Sequence, residues 1–360
     1  MTPPLTTPIP VVLAGCGGIS NAWLKTDACR ELVRIVGLVD LNLAAAQRLQ
    51  QAHDLDQSVI IGRDLATVIK DSGATVVFDC TIPEAHHTIT TTALAAGCHV
   101  LGEKPMAADM AQAQEMVAAA RASGLLYAVT QTRRWNPQAR RLQAFLASGA
   151  IGTVHSVHAD FFIAAHFGGF RASMDHVLLL DMAIHTFDMA RMFTPGSPRS
   201  VVADEWNPVG SWYRHGASAC ACFRFDEAMF SYRGSWTATG AQTSWESAWR
   251  IIGSAGAVTW DGYQDIQAEG LVDPAQASAE DGGDLIRALG PIPVPADCPT
   301  VEGRGHDGAI RHFISCLLDG RQPETAAADN IKSLAMVHAA IASAASACRQ
   351  EVWTAEHAGG

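Results

Sequence analysis

The sequence predicts a doubly wound α/β unit over residues 1–131, followed over 132–360 by an α+β unit with a mostly antiparallel sheet. Strand-like and helical stretches alternate through the first third of the chain, and this rhythm stops near Gln131. From Thr153 onward, strand-like runs succeed one another with short turns and few helices between them. Alternation of β and α builds a parallel sheet through right-handed crossovers, whereas consecutive strands build an antiparallel one.

In the first part the expected strands are Val11–Ala14, Arg34–Val39, Val59–Ile61, Thr75–Cys80, His99–Leu101 and Leu125–Val129. Helical patterns fill 19–30, 42–53, 64–71, 84–96 and 109–123. In the second part strands are expected at Thr153–Ile163, Ala217–Phe225, Met229–Trp236, Trp249–Ile252 and Ala257–Trp260. One long helix is expected over Val177–Phe193, and two helices, 306–319 and 327–347, close the chain. The stretch Asp273–Pro299, rich in Pro, Gly, Ala and Asp, reads as loop.

The densest signal lies between Ile9 and Asp40. An apolar run meets Gly15-Cys16-Gly17-Gly18-Ile19-Ser20, a helical pattern follows, and a second apolar run stops on Asp40. Glycines permit a tight turn and close backbone approach, and a helix start presents free N–H groups to phosphate oxygens. An acid at the end of the next strand suits the adenosine ribose hydroxyls. Together these read as the pyrophosphate and ribose site of a dinucleotide, although the third glycine position is Ser20. A carboxylate at 40 repels a 2′-phosphate, and Leu41-Asn42-Leu43 carry no arginine to hold one. NAD is therefore expected over NADP.

Composition narrows the class. At 360 residues and 48% hydrophobic the chain supports two domains with a large core. A net charge of −11 speaks against nucleic acid and anionic membrane as partners. No apolar run has the length of a membrane span, and the N-terminal Met1–Pro8 lacks an export signal. Nine cysteines, several inside apolar runs, fit reduced thiols and a cytoplasmic location; Cys220 and Cys222 read as core rather than metal ligands.

Ligands gather at the carboxyl ends of parallel strands. Those ends carry Asp40, then Thr81-Ile82-Pro83-Glu84-Ala85-His86, then Glu103-Lys104-Pro105. A charged pair before proline is either a solvated turn or a lysine held so that its ammonium reaches a reacting oxygen. On the helix 177–193, Asp181, His185 and Asp188 form one narrow ionisable stripe on an otherwise apolar surface. Such a stripe is either a structural hydrogen-bond network or an acid–base pair; no metal is expected.

With these residues assembled, the chain resembles the glucose–fructose oxidoreductase / inositol dehydrogenase / rhizopine-catabolism (Gfo/Idh/MocA) family. The resemblance rests on Gly15–Ser20, Thr81–His86, Glu103-Lys104-Pro105, Arg134-Trp135-Asn136-Pro137 and Asp181-x-x-x-His185, in that order. It implies a nicotinamide-binding Rossmann domain and an α+β domain with a large open sheet, through which members pair as dimers or tetramers. It also implies a catalytic trio of Lys104, Asp181 and His185. Cofactor contacts would come from Gly15, Cys16, Gly17, Gly18, Ile19, Ser20, Asp40, Thr81, Ile82, Pro83, His86, Glu103, Lys104, Arg134 and Trp135. Substrate contacts would come from Lys104, Trp135, Asn136, Asp181 and His185. One departure is Ser173-Met174-Asp175-His176 where the family usually has glycines. Asp175 and His176 are thus either specificity residues or an ordinary helix start.

The chemistry these residues suit is hydride transfer between a secondary alcohol of a sugar, polyol or glycoside and nicotinamide. His185 would take the alcohol proton, Asp181 would orient it, and Lys104 would favour the alkoxide. Trp206, Trp212, Tyr213 and His215 are either pocket lining or sheet packing. A redox-neutral glycosidase or lyase would use the same trio with transient oxidation, and a non-catalytic NAD-binding regulator is the other alternative.

Overall fold

The computed structural model describes residues 7–272, 288–296 and 302–354. The chain packs as two compact units, 1–135 with 301–334 and 136–300 with 335–360.

The first unit is built on a six-stranded parallel sheet. Its strands are β1 (Ile9–Ala14), β2 (Val33–Val39), β3 (Ile60–Gly62), β4 (Val76–Asp79), β5 (His99–Gly102) and β6 (Tyr127–Val129). The order is β3-β2-β1-β4-β5-β6, which reverses direction between β1 and β4. This is the Rossmann arrangement, and the reversal opens a crevice at the carboxyl ends of β1 and β4. β1 is a continuous apolar run and β4 is apolar up to its last residue, Asp79, because helices cover both faces of the sheet.

The helices are punctuated by local chemistry. Asp64 and Asp109 cap α4 (Leu65–Ser72) and α6 (Met110–Ser123), and Gly73 and Gly124 end them with positive φ. The single helix expected over 19–30 is two, α1 (Gly18–Leu24) and α2 (Asp27–Leu32). The break falls at Thr26, whose hydroxyl accepts from Cys29 N–H and starts the second helix. Two more helices, α3 (Leu43–Ala52) and α5 (Pro83–Ala95), complete the alternation.

The expected cut after residue 131 omits one contribution to this unit. Ile310, Phe313, Ile314 and Leu317 of α9 (Gly305–Asp319) join the core formed by Ile9, Val11, Trp23 and Phe78. An apolar helical face is buried wherever a matching apolar surface exists, whatever the separation along the chain. Val129 N–H also bonds Thr325 O at 3.0 Å, extending the edge at β6.

The second unit holds a nine-stranded sheet. Its strands are β7 (Val154–Phe162), β8 (Pro198–Trp206), β9 (Ser218–Phe225), β10 (Met229–Ser235), β11 (Ala248–Gly253), β12 (Gly256–Trp260), β13 (Ile266–Leu271), β14 (Leu289–Ile292) and β15 (Gln350–Glu351). The order is β14-β13-β12-β11-β7-β10-β9-β8-β15, antiparallel throughout except for the parallel pair β7–β10. Helix α7 (Pro137–Ala147), α8 (Ile184–Phe193) and the end of α10 (Ala327–Ser346) belong to this unit.

Several elements differ from expectation. Strand β13 buries Ile266, Ala268 and Gly270 in alternation with Gln267 and Glu269, so small inward residues conceal its period. The stretch read as loop contains β14, whose Pro291 is tolerated at a sheet edge; residues 273–287 and 297–299 lie outside the described residues. Cys220 and Cys222 are not core: both are exposed on β9, because Ala219, Ala221, Phe223 and Phe225 occupy the buried face. The long helix expected over 177–193 begins as a π-helical turn, Leu178–Ala183, and continues as α8. No helix among the described residues is long and apolar enough to cross a membrane.

The borrowed helix face gives a testable expectation. Phe313 is 1% exposed, so Phe313→Ala should lower unfolding free energy by about 3–5 kcal/mol. The loss should appear in urea melts of the full chain followed by tryptophan fluorescence and far-UV circular dichroism. An unchanged midpoint would show that α9 does not support that core.

Candidate active site

In the first unit the turn after β1 is built by backbone proximity. Gly15 has φ +86°, and a Cβ there would stand 2.6 Å from Cys80 O and 2.7 Å from Thr81 N, so only glycine fits. A Cβ on Gly17 or Gly18 would meet nothing within 4 Å, which leaves open space beside the turn. Ser20 Oγ donates to Gly17 O at 2.5 Å, closing the start of α1. Ile19 is 38% exposed at its surface.

Asp40 is held from both sides. Cys16 N–H donates to its Oδ2 at 2.8 Å and Asn42 N–H to its Oδ1 at 2.7 Å. Burial pushes the Cys16 thiol up to about 12, helped by the Asp40 charge, so it stays protonated at neutral pH. Gly15, Gly17, Asp40, Thr81 and Ile82 all line one cavity of about 620 Å3. Volume, open glycine turn and carboxylate fit the adenosine and pyrophosphate part of a dinucleotide.

Beneath this cavity lies a buried acid–imidazole pair. Asp79 Oδ2 meets His86 Nδ1 at 2.9 Å, while Asp79 Oδ1 accepts from Thr81 N–H at 3.0 Å and Thr81 Oγ1 at 2.5 Å. His86 is therefore not at the cavity wall: it stands behind Thr81 and fixes the turn into α5, where Pro83 occupies the first helical position. Burial alone lowers the His86 pKa, but the Asp79 charge and hydrogen bond outweigh it and the net shift is upward.

The Glu103-Lys104-Pro105 turn is anchored through its acid. Glu103 is buried; its Oε1 accepts from Trp23 Nε1 at 2.6 Å and lies 3.0 Å from His306 Nε2. Its Oε2 accepts from Lys104 N–H at 3.2 Å. Burial raises its pKa, yet the His306 bond and charge, the Trp23 bond and Lys104 prevail and hold it below the ordinary range. Lys104 is half-buried at the end of β5. Arg134 and Trp135 are packed inside this unit: Arg134 reaches Glu324 O at 3.4 Å and Asp329 at 3.5 Å, and Trp135 lies 4.6 Å from the His312 ring.

In the second unit, Asp181 sits on the π-helical turn and His185 at the start of α8. Arg171, on the short 3-10 turn Gly169–Ser173, binds Asp181 with Nε–Oδ2 2.5 Å and Nη2–Oδ1 3.3 Å. Phe167 and Phe170 flank the guanidinium at 5.1 and 4.7 Å. The turn carrying Asp181 is π-helical and the one carrying His185 is α-helical, so the stripe spans a change of helix type. Asp188, its third member, pairs with Arg191 at 3.5 Å.

Asp175 and His176 stand at the helix start, where His176 O accepts from Leu180 N–H at 2.8 Å, but the Asp175 carboxylate faces His215 rather than a helix N–H. Asp175 meets His215 at 3.1 Å, and His176 Nδ1 meets Glu205 Oε2 at 2.5 Å. Burial raises the Glu205 carboxyl above its ordinary range against the opposing His176 bond. Asn136 caps α7, accepting from Gln138 N–H at 2.8 Å and Ala139 N–H at 3.4 Å. Trp212 stacks on His166 at 3.6 Å, Tyr213 is buried, and Trp206 is 47% exposed.

Sequence reading missed Arg63, Arg171, Glu205 and His306. Arg63 and His306 come beside Asp40 and Glu103 only through the β2–β3 pairing and the packing of α9, which no local sequence feature shows. Arg171 and Glu205 lie in an irregular loop and at the end of a strand that the sequence pattern did not show.

A family model described as "Oxidoreductase family, NAD-binding Rossmann fold" matches residues 9–131, and one described as "GFO/IDH/MocA C-terminal domain" matches residues 139–259. The chain is 26% identical to a D-apiose dehydrogenase of Paraburkholderia graminis, covering 92% of this chain and 86% of that protein. It is 24% identical to a 1,5-anhydro-D-fructose reductase of Ensifer adhaerens, covering 95% and 98%. An oxidoreductase from Agrobacterium radiobacter, solved with NAD+, L-tartaric acid and magnesium, superposes with a TM-score of 0.80 at 21% identity, covering 96% and 99%.

Two outcomes are expected of the first unit. Gly15→Ala should lower the melting temperature, whereas Gly17→Ala should leave it unchanged and still weaken NAD binding at least about tenfold, as Cβ intrudes where phosphate approaches. Full-strength NAD binding by Gly17→Ala would displace the pyrophosphate from this turn. For His86, a folded pKa above the unfolded value gives stability that is present below about pH 6.5 and lost as pH rises through the folded pKa. Wild-type stability should therefore fall over that window more steeply than that of His86→Gln; parallel pH curves would remove the pair as a stability determinant.

Proposed function

Because the chain belongs to the Gfo/Idh/MocA family of NAD-binding oxidoreductases, we propose that it oxidises or reduces a sugar or polyol by hydride transfer at a secondary alcohol carbon. Relatives named for D-apiose, D-glucosides and 1,5-anhydro-D-fructose support that substrate class. NAD, when bound, supplies the hydride acceptor at its nicotinamide ring.

The observation that carries the acid–base assignment is the Arg171–Asp181 pair. A carboxylate clamped by guanidinium is a weak proton acceptor. Proton acceptance then falls to the half-buried His185 imidazole, whose ordinary pKa lies near neutrality. Asp181 orients, and Lys104 lends positive charge to the oxygen as its proton leaves. In the reverse direction the same imidazole, protonated, returns the proton to a carbonyl oxygen. Asp175, His176 and Trp135 remain candidates for substrate selection, with Arg171 added to them.

The exposed polar face of the nine-stranded sheet, carrying Cys220, Cys222 and Arg233, supports association into a dimer or tetramer. Free thiols at Cys16, Cys80, Cys220 and Cys222 support a reducing compartment.

The test is absorbance at the reduced-nicotinamide band with NAD and a panel of sugars, polyols and glycosides. Growth of the band with one class, reduced at least about 100-fold in kcat by Lys104→Ala and by His185→Ala, is the expected result. Substrate consumption with no net band growth would replace this reading by a redox-neutral elimination, and activity unaffected by both substitutions would remove the trio.

A further inference from the structure

The register of the first sheet places a cation where the sequence around Asp40 has none. Strands β2 and β3 pair in parallel with Val39 opposite Gly62, and Asp40 N–H bonds Gly62 O at 3.2 Å. The next residue is Arg63. Its Nε donates to Leu41 O at 3.0 Å, which anchors the guanidinium immediately beside the Asp40 backbone. Its terminal amines make no hydrogen bond to any described residue, and the side chain is exposed. Among the described residues lining the 620 Å3 cavity, Arg63 carries the only cation.

The carboxylates around it are partly committed. Asp40 accepts N–H donors on both oxygens, from Cys16 and Asn42. Asp64 turns to its own helix, accepting from Thr67 N–H at 2.8 Å and Thr67 Oγ1 at 2.5 Å. Glu84 also lines the cavity, at the start of α5. The acids therefore weigh against an added phosphate, and the open fork of Arg63 weighs for it, at the strand end where the adenosine ribose is expected.

We propose that Arg63 reads the 2′ position of the adenosine ribose and admits a 2′-phosphate beside Asp40, so that the protein binds NADP as well as NAD. In other dinucleotide sites an arginine following the second strand serves this purpose; here the same group comes from the end of the third strand. The inference rests on the family's NAD site in the first unit and is independent of the catalytic roles given to Lys104, Asp181 and His185.

The experiment is titration calorimetry of NAD and NADP, without substrate, on the full-length wild type, Arg63→Ala and Arg63→Lys. Arg63 is exposed, so all three should melt at the same temperature. Wild type should bind both dinucleotides. Arg63→Ala should lose at least about tenfold in NADP affinity while NAD affinity changes less than about twofold, and Arg63→Lys should recover part of the NADP loss. The NADP advantage conferred by Arg63 should also shrink with added salt. Equal losses for NAD and NADP would make Arg63 an adenine-stacking residue and overturn the proposal, as would NAD binding with no detectable NADP binding by wild type. Failure of wild type to bind either dinucleotide would overturn the placement of the cofactor site itself.

Discussion

The first unit depends on a carboxylate that cannot be left alone. Glu103 is buried at the end of β5, and an unpaired charge there would cost several kcal/mol. Its oxygens gather an indole from α1, an imidazole from α9 and the backbone N–H of Lys104. The strand end, the helix that starts at the glycine turn and a helix from late in the chain are thereby tied to one point. Trp23 adds apolar cohesion to the same point, lying 4.9 Å from Phe78 and 5.8 Å from His306. Lys104 therefore leaves the sheet from a turn whose backbone is held by the carboxylate before it.

A parallel logic governs the neighbouring strand end. Asp79 gives one oxygen to Thr81 and the other to His86, so the turn lining the cavity beside Asp40 is fastened from below. The second unit also uses paired charges in more exposed positions, as Asp181 with Arg171 and Asp175 with His215. Burial of the pairs does not divide the two units: Asp79–His86 in the first and Asp188–Arg191 in the second are both buried, whereas Arg171 and Asp175 reach the surface.

Much of the first unit was legible because its signals are local. Apolar runs mark β1 and β4, aspartate caps mark α4 and α6, and the glycine turn precedes a helix. What escaped was set by distance along the chain. Nothing near Trp23 announces that α9 will cover it, and nothing near Asp40 announces Arg63. In the second unit β13 and β14 hid behind small residues and a proline, and the two cysteines of β9 looked apolar in isolation. Their side of the sheet is decided by the phenylalanines they alternate with. The π turn was illegible for a different reason: Leu178–Ala183 has ordinary helix-forming residues, and the wider turn comes from packing rather than propensity.

The late arrival of α9 has a consequence for biosynthesis. A ribosome that has released residue 135 must add 182 more before Leu317 is made. At ordinary elongation rates that interval is roughly ten to forty seconds. Throughout it the nascent nucleotide-binding half carries an uncovered apolar surface around Trp23 and Ala28, and Glu103 lacks its His306 partner. The chain is thus most exposed to holdase chaperones and to aggregation while its second sheet is still being translated.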